Sequence, residues 1–119
     1  MKVINLYEMI QGLNGVLDKE LPTKVAFDLQ KNLRNIQHEA KPADELKKKL
    51  NEKFKDYIDE GRIENKEKRE AYLKELEEIN AQEVEVELIK VNLDDLGESI
   101  KPRTLYLIEP MIKIEEEDK

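Results

Sequence analysis

The chain of 119 residues contains no cysteine and no tryptophan. Without cysteine it cannot form disulfides, bind zinc through thiolates or use a cysteine nucleophile. Its aromatic residues are four tyrosines and two phenylalanines, so any core must depend mainly on Leu, Ile and Val. Because so thin a core often gains stability from self-association, we expect that the chain can form a homo-oligomer.

Long apolar runs are also missing. No stretch approaches the roughly 20 apolar residues that a helix needs to cross a bilayer. Glu8 and Asp18 interrupt the N-terminal segment, which therefore differs from a secretory signal. The lack of cysteine also fits a reducing compartment. These features predict a cytoplasmic protein that does not bind membranes.

Charge is abundant but unevenly distributed. Charged residues make up 41% of the chain, and the net charge is -7. Residues 1–40 carry equal numbers of acidic and basic side chains, whereas residues 83–119 carry five Lys or Arg against eleven Asp or Glu. No segment has the basic excess that binding to a phosphate backbone requires, so we expect no direct contact with nucleic acid.

The first predicted helix contains two glycines. Asn5 and Glu8 have the spacing of a capping box, which predicts a helix that starts at Asn5. Its apolar residues recur at helical spacing: Leu6, Met9, Ile10, Leu13, Val16 and Leu17. Gly12 and Gly15 each cost the helix about 1 kcal/mol relative to Ala. We therefore expect packing, or the close approach of another element to these glycines, to hold the helix.

A longer helix is predicted after Pro22, because proline is favoured in the first turn of a helix. Apolar residues then recur at steps of mostly three and four: Leu29, Leu33, Ile36, Ala40, Ala43, Leu50, Phe54 and Tyr57. Pro42 interrupts this seam without shifting its phase. We therefore favour one kinked helix of about 35 residues, although a proline at this point can also end a helix.

Residues 60–65 predict a turn between two helices. Gly61 is suited to a left-handed helix C-cap, and Asn65 is suited to the N-cap of the next helix. The segment that follows, residues 66–81, carries one apolar stripe among charged positions. A short connection between two amphipathic helices forces them to run antiparallel, so we predict a long helical hairpin.

The hydrophobic period changes after residue 82. In residues 83–88 acidic and aliphatic side chains alternate strictly, which predicts a half-buried strand. A lone strand needs a partner, and residues 2–4 are the nearest candidate. We therefore expect a small β-element formed by residues 2–4 and 83–91.

Residues 102–112 admit two interpretations. Pro102 suits a helix start, and Leu105, Ile108 and Ile112 share a helical face, but residues 105–108 could equally form a buried strand. We favour a short helix. The predicted fold is α+β and mostly α, with the hairpin, the small β-element and a short C-terminal helix in a single domain of residues 1–114. The acidic tail, residues 115–119, is expected to be disordered.

The sequence offers one candidate binding segment and no pattern typical of a catalytic or cofactor site. His38, the only histidine, lies beside the apolar seam without neighbours that would complete a metal or catalytic site, so we assign it a surface or structural role. Nucleotide-binding loops and catalytic triad motifs are absent, so we predict no catalytic residues, no metal and no cofactor. Strand edges are reusable binding surfaces, which makes the alternating segment the candidate partner-binding site. Its residues are Glu83, Val84, Glu85, Val86, Glu87 and Leu88.

Three segments carry a resemblance to a known family. The start of the long helix (residues 20–33), the Glu-Val-Glu-Val of residues 83–86 and the Pro-x-x-Leu-x-x-Ile-Glu-Pro-Met of residues 102–111 resemble small proteins of unknown function. That family is carried by phages and prophages of Gram-positive bacteria. The similarity spans nearly the whole chain, and Pro42 is a departure from it. The resemblance implies a phage context and supplies no catalytic residues.

Two functional hypotheses follow. The first is a non-enzymatic interaction or assembly accessory protein of phage or prophage origin, which binds a phage or host protein through its hairpin or its strand. The second is an acidic inhibitor, which uses the C-terminal third of the chain to cover a basic, nucleic-acid-binding surface of a host protein. Binding of the second kind should weaken steeply with salt.

Overall fold

The computed structural model describes residues 1–97 and 100–113, within a molecule 54 Å long. The helices are α1 (Val3–Leu17), α2 (Thr23–Lys53), α3 (Lys66–Asn80) and α4 (Pro102–Leu107). The strands are β1 (Ile58–Asp59), β2 (Arg62–Ile63), β3 (Val91–Asn92) and β4 (Ile112–Lys113), paired as two small sheets. The mostly helical architecture with small β-elements confirms the predicted fold class. The predicted disorder of residues 115–119 lies outside the described residues.

Helix α1 starts earlier than its capping pattern predicted. The Val3 N–H donates to the Gln82 carbonyl at 2.9 Å, and the Lys2 N–H donates to the Asn5 side chain at 2.7 Å. These bonds satisfy the backbone N–H groups of Lys2 and Val3, which have no intrahelical partner, so the helix already begins at Val3. The predicted strand at residues 2–4 is therefore wrong in extent. Only Lys2 pairs, through an isolated antiparallel bridge to Glu83.

Helix α2 continues through Pro42 for 31 residues, which confirms the prediction of one helix. Ala40 and Ala43 on either side of the proline are both buried, so the apolar seam keeps its phase across it. The N-terminal half of α2 packs against α1 and the main core. The C-terminal half of α2 extends beyond the main core and packs against α3. Residues 42–80 are called the arm below.

The protein has two hydrophobic clusters of unequal size. The main core joins α1, the N-terminal half of α2, β3 and the C-terminal segment, and its largest fully buried side chains include Leu6, Met9, Leu13, Leu29, Ile36, Leu96, Ile108 and Met111. The arm has a much smaller cluster with only Leu50, Phe54 and Ile63 buried. Phe54 and Tyr72 meet there edge to face with ring centroids 5.7 Å apart. Stability therefore resides mostly in the main core.

The turn between α2 and α3 differs from the predicted helix cap. Glu60 and Gly61 both have positive φ, 52° and 79°, and they connect β1 to β2 in a tight hairpin. Positive φ at both central residues is the requirement of the favoured two-residue hairpin turns. Gly61 therefore serves a β-turn instead of the C-cap of α2. Asn65 does cap α3, as predicted, by accepting the Lys68 N–H at 3.0 Å.

The predicted strand over residues 83–91 is also wrong in extent. Only Val91 belongs to a strand, which pairs in parallel with β4. Ile89 instead exchanges both of its backbone hydrogen bonds with the Asn32 side chain, at 2.7 and 2.8 Å. A side chain therefore takes the place of a neighbouring strand. The alternation itself is confirmed, because residues 84, 86 and 88 pack against the main core while residues 83, 85 and 87 are exposed.

Residues 102–107 form the short helix favoured for this segment, and residues 105–108 do not form the alternative buried strand. A strand, β4, begins only at Ile112. Pro102 occupies the first turn of α4, and Ile112 pairs with Val91. Helix α4 crosses α1 at Gly12, where a Cβ atom would lie 2.6 Å from Ile108 Cγ2 and 2.8 Å from Leu107 Cβ. The predicted close approach of another element to this glycine is therefore confirmed.

Candidate functional site

A cleft of about 380 Å³ lies between α2 and the segment that follows α3. Its lining residues are Asn35, His38, Glu39, Glu85, Val86 and Glu87. The first three follow one face of α2, beside the buried Ile36 and Ala40. The other three come from the alternating segment, whose inward aliphatic residues hold the outward carboxylates at the cleft. We call this site the acidic cleft.

The acidic cleft concentrates negative charge. Glu39, Glu85 and Glu87 contribute carboxylates, and none of them forms an ion pair within residues 1–97 and 100–113. Ionised carboxylates only accept hydrogen bonds, so they suit a cationic donor. An arginine side chain can bind such a group through two parallel hydrogen bonds. The chemistry of the cleft therefore fits a Lys or Arg side chain of a partner.

Buried and exposed amides fix the alternating segment against α2. Asn32 is fully buried, and its Nδ2 donates to the Ile89 carbonyl while its Oδ1 accepts the Ile89 N–H. Asn35 Nδ2 donates to the Glu87 carbonyl at 3.4 Å, one helical turn further along α2. The Asn32 side chain thus satisfies the backbone N–H and C=O of Ile89, which have no strand partner. By holding this backbone against α2, it sets the position of Glu85 and Glu87.

The structure separates the six predicted binding residues into three groups. Glu85 and Glu87 line the acidic cleft. Glu83 lies outside it, with its Oε1 3.8 Å from the N-terminal amine, and its side chain is 75% exposed. The aliphatic members, Val84, Val86 and Leu88, pack against the main core. The exposed part of the segment is therefore almost wholly acidic.

Sequence reasoning missed the α2 side of the cleft. His38 was assigned a surface role, and Asn35 and Glu39 were not singled out. Their spacing does place them on one helical face. However, the segment that covers this face lies about 50 residues further along the chain, as the Asn35–Glu87 separation of 52 residues shows. Only the tertiary structure brings the two sides together.

A second, larger cavity of about 830 Å³ opens at the tip of the arm. Two of its polar side chains are bonded within the arm: Arg69 Nη1 donates to the Ile63 carbonyl at 3.2 Å, and the Tyr72 hydroxyl donates to Asn51 at 2.6 Å. The floor is apolar and includes Ile58. Groups that satisfy each other in this way brace the β1–β2 turn against the helices.

A polar cluster also joins α1 to α2. The Tyr7 hydroxyl donates to Asp44, and Lys47 Nζ lies 3.7 Å from the centroid of the Tyr7 ring. Burial, together with the hydrogen bond to Asp44, raises the pKa of Tyr7 above its usual value. Burial lowers the pKa of Lys47, and the charge of Asp44 opposes this effect. Because its members bond to one another, the cluster acts as a cross-link between the helices.

The described residues supply neither a metal cluster nor a spanning helix. Within residues 1–97 and 100–113, no group of three or more His, Cys, Asp or Glu side chains is arranged to hold a metal ion. The same residues contain no helix that is both long and apolar enough to cross a membrane. The sequence matches no family model, and comparison with curated proteins and with solved structures finds no match.

Proposed function

We propose that this protein is a non-enzymatic interaction protein that binds a basic segment of a protein partner through the acidic cleft. One observation carries the proposal: Glu39, Glu85 and Glu87 line a common groove that has no Lys or Arg in its lining, and none of the three forms an ion pair within the described part of the chain. Complementary charge steers association and selects partners. A basic peptide laid between α2 and the alternating segment would supply the missing cations.

The absence of an enzymatic role is part of the proposal. It is supported by the larger cavity at the tip of the arm, where the Arg69 and Tyr72 side chains are engaged by groups of the same chain. The Tyr7 hydroxyl is likewise engaged by Asp44. A general acid or base needs a free path to the proton that it transfers. These groups hold the fold together instead.

The resemblance to small phage and prophage proteins extends the proposal to biological context. On this basis the protein acts in the cytoplasm of a Gram-positive host, and its partner is either a phage protein, for which it is an assembly accessory, or a host protein. In both cases the partner contributes the basic segment that the acidic cleft binds.

A second candidate function is favoured by the overall distribution of charge. The net excess of acidic residues lies in residues 83–119, which include both acidic residues of the alternating segment at the cleft. An acidic surface of this kind could cover a nucleic-acid-binding surface of a host protein and so inhibit it. Such an inhibitor would compete with nucleic acid for its partner, whereas an assembly accessory would not.

The experiment that tests the cleft uses a fluorescein-labelled hexa-arginine peptide and fluorescence anisotropy. We expect the protein to bind this peptide and to lose at least about tenfold in affinity between about 50 mM and about 500 mM salt. A triple variant, Glu39→Gln with Glu85→Gln and Glu87→Gln, should lose at least about tenfold at the lower salt concentration.

The matched control removes the same charge from another surface. Glu67, Glu70 and Glu77 are exposed residues of α3, and their replacement by Gln should change the affinity less than about twofold. Equal losses in the two triple variants would show binding by net charge alone and would contradict a role for the cleft. Circular dichroism must show that both variants keep the helical content of the wild type.

A further inference from the structure

One face of the arm combines exposed apolar groups with opposite charges on its two helices. We call it the lysine–glutamate face. Its residues are Leu46, Lys49 and Lys53 from α2 and Glu75, Glu78 and Ile79 from α3. A groove of about 350 Å³ runs between the two helices on this face.

The apolar part of this face is incompletely covered. Helix α3 has no buried residue, so the arm is a two-helix structure without a third layer. The Leu46 side chain is 49% exposed beside the groove, and Ile79 is only half buried. A further depression of about 800 Å³ continues from Leu46 along the outer side of α2. Helices that expose apolar side chains along a groove gain stability when other helices cover them.

The charges on the lysine–glutamate face are sorted by helix. The α2 side carries only cations, Lys49 and Lys53, and the α3 side carries only carboxylates, Glu75 and Glu78. The two rows lie at the same height along the arm, since Lys53 Nζ is 2.7 Å from Glu75 Oε2. This arrangement is self-complementary under a two-fold rotation about an axis parallel to the helices, which places α2 of one copy over α3 of another.

We propose that this face is the interface of a symmetric dimer, in which the arms of two copies form a four-helix bundle. Neighbouring helices in the bundle run antiparallel, because α2 of each copy lies over α3 of its partner. The rows of lysines and glutamates then oppose each other twice, as a two-fold axis requires. A two-fold axis perpendicular to the helices would place lysine over lysine, and the repulsion excludes it.

The dimer goes beyond the function proposed for the acidic cleft and is independent of it. The cleft lies on the N-terminal half of α2, at residues 35–39, whereas the dimer face begins at Leu46. The two sites therefore share no lining residue. Two clefts on one particle would bind a partner with repeated basic segments more tightly than one cleft does.

The first test is sedimentation equilibrium of charge-swapped variants. The wild type, of 14.0 kDa per chain, should show a concentration-dependent mass that approaches twice this value. The variant Lys49→Glu with Lys53→Glu, and separately Glu75→Lys with Glu78→Lys, should each raise the dimer dissociation constant by about 100-fold. A mixture of the two variants should dimerise again, because each supplies the charge that the other lacks.

The mixture of the two variants distinguishes a disrupted interface from a destabilised fold. Circular dichroism of each variant must match the wild type, and restored dimerisation in the mixture shows that both retain a competent arm. A wild type that remains a monomer up to about 1 mM would overturn the proposal, because a dimer of this kind should be populated there. Variants that dimerise as well as the wild type would overturn it as well.

The second test uses the absence of cysteine in the chain, which makes a single introduced thiol specific. We expect oxidation of a mixture of Lys49→Cys and Glu78→Cys proteins to join one to the other, since these positions face each other across the interface. Each protein alone should cross-link several-fold less. Preferential Lys49→Cys to Lys49→Cys disulfides would show the perpendicular axis and contradict the proposed packing.

Discussion

Replacement of the two glycines of α1 by alanine should change stability in opposite directions. At Gly12, a Cβ atom would lie 2.6 Å from Ile108 Cγ2 and 2.8 Å from Leu107 Cβ. The second of these atoms is attached directly to the backbone and cannot rotate away. At Gly15, the nearest atoms are those of the Thr104 side chain at 3.6 Å, which is ordinary van der Waals contact.

The magnitudes follow from these distances. Alanine inside a helix is favoured over glycine by about 0.5–1 kcal/mol, and both substitutions gain this amount. Gly12→Ala also forces α4 away from α1, and overpacking of a well-packed interface costs about 1–3 kcal/mol. We therefore expect Gly12→Ala to lower the free energy of unfolding by about 1–2 kcal/mol and Gly15→Ala to raise it by up to about 1 kcal/mol.

Urea denaturation followed by circular dichroism measures both changes against the same wild type. The two variants share one helix and one type of substitution, so the effect of helix propensity cancels in their difference. This difference should equal the overpacking cost of about 1–3 kcal/mol. A Gly12→Ala protein that is as stable as Gly15→Ala would refute the close packing of α4 on α1.

Two further pairs of substitutions test the polar contacts. Asn32→Ala removes the hydrogen-bond partners of both the N–H and the C=O of Ile89 and should lower the free energy of unfolding by about 2–4 kcal/mol. Asn35→Ala removes one long, exposed hydrogen bond and should cost at most about 0.5 kcal/mol in the same urea experiment. Tyr7→Phe should cost about 1 kcal/mol at neutral pH. Tyr106 is 72% exposed, so Tyr106→Phe should cost at most about 0.5 kcal/mol. Because folding raises the pKa of Tyr7, the native state keeps this proton after the unfolded state releases it, so the advantage of the wild type over Tyr7→Phe should shrink as the pH rises above 10.0. Equal costs within either pair, or a constant Tyr7→Phe difference up to about pH 11, would contradict these assignments.

Local patterns predicted the elements of this fold better than their hydrogen-bond partners. The alternation in residues 83–88 correctly separated the inward aliphatic side chains from the outward glutamates. It also predicted a strand, because alternation is normally satisfied by strand pairing. Here Asn32, 57 residues away in sequence, bonds the backbone of Ile89 instead. Nothing near residue 89 could have identified that partner.

The glycines show the same limit. The cost of Gly12 in a helix predicted the approach of another element, and α4 provides it. The helix-cap role predicted for Gly61 was wrong, because the residue's freedom to adopt positive φ serves hairpin turns as well as helix ends. The sequence identifies Gly61 as a residue suited to positive φ. Whether that residue caps a helix or forms a hairpin turn depends on where the preceding helix ends, and α2 ends at Lys53.

The acidic cleft was predictable only on one side. Glu85 and Glu87 stood out through their alternation with aliphatic residues. His38 and Glu39 lie on a helix whose exposed face is polar over most of its length, so no local signal distinguished them. The cleft exists because α2 and the alternating segment meet in the folded chain.

The measurement that tests the central claim most directly is a nuclear magnetic resonance titration of the ¹⁵N-labelled protein with the hexa-arginine peptide. The account predicts that the largest amide shifts occur at the cleft, in residues 35–39 and 85–87, and saturate at one peptide per chain. Shifts confined to the arm, or shifts spread evenly over all acidic residues, would contradict the assignment of the cleft as the binding site.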